Sequence, residues 1–279
     1  MDKQARGNGS DRDRQPAPKL SVIVITRDEE SCIARCLRSV DFADEIVVVD
    51  NNSTDRTRDI AREFGAIVLT TLDWPGFGQQ KNRALAAASG DWVLSLDADE
   101  WVEPALGAEI RGVIEHPGGK DGFEIPRRSR FCGHVVHHGG WSPDLVLRLF
   151  RRGGGRFSND TVHEKIEISG AKGRLSEAME HDSITDLADA HDKIGRYAEA
   201  SAARLLAMGK KSSIGKATSR VFWAYFNSYV FRLGFLDGST GAMVATYSAA
   251  YTYQKWARVA TGGVPKTAAK EAGVLRTNP

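Results

Sequence analysis

Cysteine is scarce and unpatterned, with only Cys32, Cys36 and Cys132 in 279 residues. An odd count without a Cys-x-x-Cys pair excludes a disulfide framework and a structural zinc site, and it fits a reducing cytoplasm. Cys32 and Cys36 lie four apart on a predicted helix, where burial as small apolar side chains accounts for them. No apolar run is long enough to cross a bilayer. Val221 to Leu236 comes nearest, but it has sixteen residues interrupted by Asn227, Ser228 and Arg232, short of the roughly 20 a spanning helix needs. No signal-peptide core precedes the first strand, which argues against secretion. The loop after that strand has no Gly-x-Gly-x-x-Gly, so the backbone cradle for a dinucleotide pyrophosphate is missing and nicotinamide or flavin enzymes are disfavoured.

Acidic residues are depleted in one region. Ala190 to Thr261 holds ten Lys/Arg against three Asp/Glu, although the whole chain carries only +2. No recognised nucleic-acid motif accompanies this basic stretch, so no nucleic-acid partner is expected. The 41% apolar content supports one large core with an extension. Met1 to Pro18 has almost no apolar side chains and reads as a disordered tail (1–18). A catalytic unit over 19–186, a helical extension over 187–265 and a flexible tail over 266–279 follow from the pattern.

Within the catalytic unit, Leu20 to Ile25, Glu45 to Val49, Ala66 to Thr71 and Trp92 to Leu96 are short Val/Ile/Leu-rich runs, the pattern of buried parallel strands. Helical spacing separates them at Ser31 to Val40, Asp55 to Phe64 and Gln79 to Ser89, with Gly90 in the place of a C-terminal cap. Alternation of this kind predicts an α/β fold, a mostly parallel sheet flanked by helices whose ligands bind beyond the carboxyl ends of the strands. A helix over Glu103 to Glu115 comes next. Alternating Arg-rich strands at Gly122 to Phe131, Leu145 to Arg151 and Phe157 to Ile168 predict an antiparallel or mixed extension of the sheet. Helices follow at Lys193 to Met208, Ser212 to Leu233 and Gly241 to Val259.

The polar clusters fall at strand ends. Trp92-Val-Leu-Ser-Leu-Asp-Ala-Asp-Glu100 closes an apolar run with acids at i and i+2, which extended backbone turns to one face, so Asp97 and Asp99 can share a hard divalent cation. The same pair can also simply begin a polar turn. Asp28, Glu29 and Glu30 follow the first strand, where they either accept hydrogen bonds from a ligand or cap a helix. Asp50 ends the second strand in position to accept from a uracil N3-H. Ser53 and Asp55 behind it either cap the next helix or face a ligand. Gly76-Phe-Gly-Gln-Gln-Lys-Asn-Arg83 opens a helix where Lys81 or Arg83 can approach a diphosphate. Trp101 and Trp141 suit sugar stacking or core packing.

Taken together, Thr26-Arg-Asp-Glu-Glu30, Val49-Asp-Asn-Asn-Ser-Thr-Asp55, Gly78-Gln-Gln-Lys-Asn82 and Leu96-Asp-Ala-Asp-Glu100 resemble the family 2 glycosyltransferases of GT-A fold. Leu147-Arg-Leu-Phe-Arg151, Val162-His-Glu164, the His181 region and Leu236-Asp-Gly-Ser-Thr-Gly241 are similar to the subgroup of lipopolysaccharide core β-1,4-glucosyltransferases. The resemblance implies a Rossmann-like GT-A domain and inverting transfer of a hexose, glucose or a relative, from a UDP-sugar to a lipopolysaccharide core sugar; the alternatives are a polyprenyl-phosphate or other glycan acceptor, or a non-catalytic nucleotide-sugar-binding module. It places Thr26, Asp28, Glu29, Asp50, Ser53, Asp55, Gln80, Lys81, Asn82, Asp97 and Ala98 at the donor, and Asp97 and Asp99 at Mg²⁺ or Mn²⁺. The general base is Glu164 or Asp144, with Glu164 preferred, and His163 or His181 is an additional candidate metal ligand. A cytoplasmic enzyme is implied. Its basic, aromatic C-terminal helices either pack on the sheet or touch the inner membrane peripherally.

Overall fold

The computed structural model describes residues 17–158 and 164–263. The predicted flexible tail at 266–279, all but the last two residues of the predicted tail at 1–18, and His163 lie outside the described residues.

The first half alternates as the apolar runs predict: β1 Leu20–Thr26, α1 Ile33–Arg38, β2 Glu45–Asp50, α2 Thr57–Glu63, β3 Ile67–Thr70, α3 Phe77–Ala87 and β4 Trp92–Asp97. These four strands are parallel, in the order β3-β2-β1-β4. Leu20, Val22, Val24, Val48, Leu94 and Leu96 are buried on one face with the large side chain of Trp92. Burying each large apolar side chain contributes about 1.5–3 kcal/mol, so the strands outweigh helix caps worth about 1 kcal/mol each. The chain leaves β1 for β2 on one side and returns to β4 on the other. The crevice beyond Thr26 and Asp97 is therefore the switch point where such sheets bind ligands.

Short β5 Glu100–Trp101, α4 Pro104–Glu115, β6 Gly122–Phe131, β7 His134–Val135, β8 Leu145–Arg151, β9 Gly155–Phe157, β10 Ile166–Ile168, β11 Lys172–Arg174 and β12 Met179–Ile184 follow. The sheet continues β4-β8-β6-β12-β5, with β8 antiparallel to both β4 and β6, giving the mixed extension expected of a GT-A fold.

Three details differ from the sequence reading. Phe157 to Ile168 is not one strand, because β9 and β10 pair antiparallel as separate short strands. Gly90 is not a left-handed cap. α3 ends at Ala88 in extended backbone, and Gly90 instead lies where a Cβ would come within 2.7 Å of Ser21 Oγ and 2.9 Å of the Lys19 carbonyl. Gly90→Ala is accordingly expected to destabilise the domain by about 1–3 kcal/mol through overpacking, measured by denaturant unfolding. Finally, Asp97 and Asp99 do not share one extended segment. The strand stops at Asp97, and Ala98 and Asp99 form a turn, because the Asp97 N-H donates to Glu100 Oε2 at 2.9 Å and draws Glu100 inward.

The C-terminal region is α5 Leu187–Ala207, α6 Ile214–Phe226 and α7 Gly238–Thr261. Asp186 and Ser213 cap the first two through Asp189 N-H and Lys216 N-H, and Gly262 ends α7 at φ 66°. Ala190 of α5 and Val244 of α7 are buried against Phe131, Val136 and Ile184, so this region packs on the end of the sheet. Among the described residues no helix is long and apolar enough to cross a membrane.

Candidate active site

The first two loops are stitched to each other. Asp28, in left-handed backbone at φ 54°, accepts from Thr54 N-H at 2.6 Å. In return Ser53 Oγ accepts from Asp28 N-H, Thr57 Oγ1 from Glu29 N-H and Asp55 from Glu30 N-H. Asp55 also accepts from Thr57 N-H and Oγ1, one of the two roles its position allows. These carboxylates fix loop shape at the crevice.

Asp50 is fully buried. It accepts from Thr26 Oγ1 at 3.1 Å, from Ser53 N-H at 3.0 Å and from Ser53 Oγ, with the Arg58 guanidinium 3.7 Å away. Gln80 is buried too and donates to Thr71 Oγ1, whose own N-H donates to the Asp50 carbonyl. The expected uracil acceptor is thus held from several sides by its own chain.

Glu29 faces the acidic turn of β4. Burial pushes its carboxyl up, a hydrogen bond from the Cys32 thiol opposes this, and the charge of Asp99 adds to the rise.

Farther along the crevice, charges alternate in one chain. Asp97 accepts from Arg148 Nη2 at 2.6 Å and pairs with Lys81 Nζ at 2.9 Å. Lys81, 4% exposed, also donates to Glu164 Oε1 at 2.8 Å. On the other side Arg148 donates to Glu100 Oε1 at 2.6 Å, and Arg127 bridges Glu100 at 3.1 Å to Asp144 at 2.7 Å. Both candidate bases therefore belong to one network, with Glu164 separated from Asp97 by one lysine and Asp144 by two arginines and Glu100. Lys81 and Arg83, the two cations expected to approach a diphosphate, both have partners of their own. Lys81 lies on the face of α3 that packs inward, and Arg83 pairs with Asp73 at 2.7 Å.

Two neighbours make the Glu164 position possible. A Cβ at Gly78 would lie 1.9 Å from the Ser158 carbonyl and 3.3 Å from Glu164 Cβ, so only glycine lets that segment reach α3. Asn82 clamps the Phe157 backbone by donating to its carbonyl at 2.9 Å and accepting from its N-H at 3.0 Å. Asn82 thus holds the strand that leads to Glu164.

Burial works against the charge of Asp97, but Arg148 and Lys81 outweigh it and hold the carboxyl well below the usual range. That contribution to stability is present above the unfolded value near pH ~4 and is lost as pH falls through the depressed folded value. Arg148→Met would leave wholly buried Glu100 with Arg127 as its one cationic partner among the described residues, beside the Asp97 N-H. Truncating one partner of a buried pair costs about 3–5 kcal/mol, so thermal denaturation should show a Tm on the order of 10 °C lower, with a shallower acid limb.

Asp99 completes the site. His181 Nε2 is 3.5 Å from Asp99 Oδ2, while His181 Nδ1 meets Ser129 Oγ at 3.0 Å, fixing the ring. Trp101 packs beneath the Arg35 guanidinium at 3.8 Å, and Trp141 packs edge-on against Phe131 and Tyr247, which is the packing role for the latter. Arg127 and Ser129 are not singled out in the sequence, and Glu100 and Arg148 stand there only within motifs, without a role of their own. Arg148, a charge inside the apolar strand Leu145–Arg151, was the one visible signal.

Comparison with known proteins gives this arrangement its context. Residues 21–139 match the family described as glycosyl transferase family 2. An uncharacterized glycosyltransferase of Rickettsia felis is 30% identical over 244 residues, covering 80% of this chain and 83% of the relative. The lipopolysaccharide core biosynthesis glycosyltransferase LpsC of Rhizobium meliloti is 29% identical over 260 residues, covering 87% and 94%. Among solved structures, S. aureus TarS 1–349 aligns at 20% identity with a TM-score of 0.44, covering 78% of this chain and 74% of that one. Family motifs at the switch point of the sheet and a relative matched over most of its length agree, and the chain belongs to glycosyl transferase family 2 as a glycosyltransferase.

Proposed function

We propose that this glycosyltransferase moves a hexose, glucose by preference, from a UDP-sugar to a lipopolysaccharide core sugar with inversion, and that it does so with a bound Mg²⁺ or Mn²⁺. The observation that carries the acceptor class is the likeness to LpsC, which spans 94% of that protein. The donor crevice is the switch point between Thr26 and Asp97, walled by the stitched loops of Asp28, Glu29, Ser53 and Asp55.

The donor set fits a divalent ion at Asp99 and His181. Ser129 aims the imidazole at the carboxylate, and both oxygens of Asp97 already serve Lys81 and Arg148. Among the described residues no third His, Cys, Asp or Glu converges there, so diphosphate oxygens and water would complete the shell. A nitrogen donor favours Mn²⁺ over Mg²⁺. Such an ion, when bound, supplies Lewis-acid stabilisation of charge on the departing diphosphate. Glu164, positioned by Lys81, takes the proton of the acceptor hydroxyl as its oxygen bonds to the anomeric carbon and the bond to UDP breaks.

Lipid extraction after incubation with radiolabelled UDP-glucose tests the reading. Label in core oligosaccharide supports it, and mild-acid-labile label in prenyl phosphate assigns the enzyme to a polyprenyl acceptor instead. A thermal-shift panel of nucleotide sugars with and without Mn²⁺ identifies the donor, because a ligand of the folded state raises Tm by mass action.

A further inference from the structure

Exposed aromatic side chains gather on α6 and the turn that follows it. Phe222, Trp223, Phe226 and Phe231 are all more than half exposed, the least being Phe226 at 52%. Ring contacts fall in two groups, Trp223 on Phe231 at 5.6 Å and Tyr225 on both Phe226 and Tyr229. Isolated exposed apolar residues are ordinary, but four large aromatics exposed within ten residues mark an interaction surface.

The backbone beneath these rings is tightly approached by α7. After α6 the chain makes a π turn at Asn227–Phe231 and a 3-10 turn at Gly234–Asp237. A Cβ at Gly241 would lie 1.7 Å from the Gly234 carbonyl, so only glycine lets α7 approach the turn this closely. The same turn grips the approach to Asp144. Ser228 Oγ donates to the Gly139 carbonyl at 2.9 Å, Gly139 N-H donates to the Arg232 carbonyl at 2.9 Å, and Asp237 accepts from the N-H groups of His137 and His138.

Charge selects the occupant. Between Glu199 and Asp237 there is no acidic residue, and six Lys/Arg occur: Arg204, Lys210, Lys211, Lys216, Arg220 and Arg232. Among the described residues Lys210, Lys211 and Lys216 form no ion pair. A second copy of the chain docked two-fold on this face would set these cations against themselves. An anionic bilayer complements them, and exposed Trp and Phe beside Lys and Arg are the chemistry of interfacial insertion.

We infer that the aromatic turn of α6 and Asn227–Asp237 seats on an anionic lipid surface, holding the acceptor loop His137–Asp144 at that surface. The inference deepens the proposed function and rests on its lipid-borne acceptor.

The test is sedimentation of the full chain with phosphatidylcholine vesicles with and without phosphatidylglycerol. Binding is expected only with phosphatidylglycerol and should weaken with salt. Trp223→Ser with Phe231→Ser, and Lys210→Glu with Lys211→Glu and Lys216→Glu, should each lower binding about tenfold or more. Ile67→Ser, an exposed residue on edge strand β3, should leave it unchanged. Transfer to water-soluble core oligosaccharide should persist in all these variants, which also reports that they fold.

Absence of sedimentation, equal binding to pure phosphatidylcholine, or unaltered binding by both multiple variants overturns the inference. So does a light-scattering dimer that Trp223→Ser with Phe231→Ser converts to monomer. Loss of transfer to every acceptor with vesicle binding intact would sink the functional reading and leave this surface standing.

Discussion

Asp99→Ala is expected to lower sugar transfer by at least about 10³-fold, because several kcal/mol of charge stabilisation at the diphosphate would go with the ion seat. The fold should tolerate the change. Asp99 is partly exposed, and its side chain meets His181 at 3.5 Å without anchoring a core element, so stability should move by less than about 1 kcal/mol. The variant should also lose the Mn²⁺-dependent part of the UDP-induced thermal shift. Ser129→Ala acts one step back, through the orientation of His181. Loss of an orienting partner of this kind costs about 10- to 100-fold in metal affinity, so its deficit should shrink at high Mn²⁺ while that of Asp99→Ala persists. Full transfer by Asp99→Ala would remove the seat from Asp99 and His181 altogether.

The fold was legible where the physics is local. Buried strands β1, β2 and β4 announce themselves as Val/Ile/Leu runs, and their polar ends, Thr26, Asp50 and Asp97, fall at the switch point that strand order creates. The partners of those ends were not legible. Arg148 reaches Asp97 across 51 positions and Lys81 reaches Glu164 across 83. Such pairings are set by strand and helix juxtaposition, which no periodicity encodes. The same limit explains Lys81, which has the composition of a phosphate contact but lies on the inward face of α3. It explains Asp50 as well, since a carboxylate at a strand end looks available until Thr26 and Ser53 close over it. Glu100 illustrates the converse. Third in an acidic run, it is wholly buried because two arginines and one backbone N-H converge on it. Short-range chemistry placed the crevice, while long-range ion pairs decide which of its groups remain available.

Glu164→Gln is expected to retain donor affinity and lose turnover by about 10²-fold or more, the scale of a missing general base. The geometry gives this its direction. Lys81 bridges Glu164 and Asp97 with 2.8 and 2.9 Å contacts, so Glu164 is held beside the donor crevice by a side chain that reports directly on the β4 end. Asp144 accepts from Arg127 Nε and Nη2 at 2.8 and 2.7 Å, an arrangement that occupies it in holding the approach loop. Asp144→Asn should accordingly raise the acceptor KM more than it lowers kcat, and the separation of the two constants distinguishes the roles. Charge is what separates base from spacer in the first variant. Gln keeps the size of Glu and can still reach Lys81 through its amide oxygen, so the Phe157 clamp by Asn82 and the approach at Gly78 should survive. A kcat loss in Glu164→Gln with unchanged Tm and unchanged UDP affinity would therefore come from the missing proton acceptor. If Asp144→Asn loses turnover at unchanged acceptor KM while Glu164→Gln stays active, the proton passes to Asp144, and the Lys81 pair of Glu164 becomes a structural tie between α3 and the β9–β10 segment.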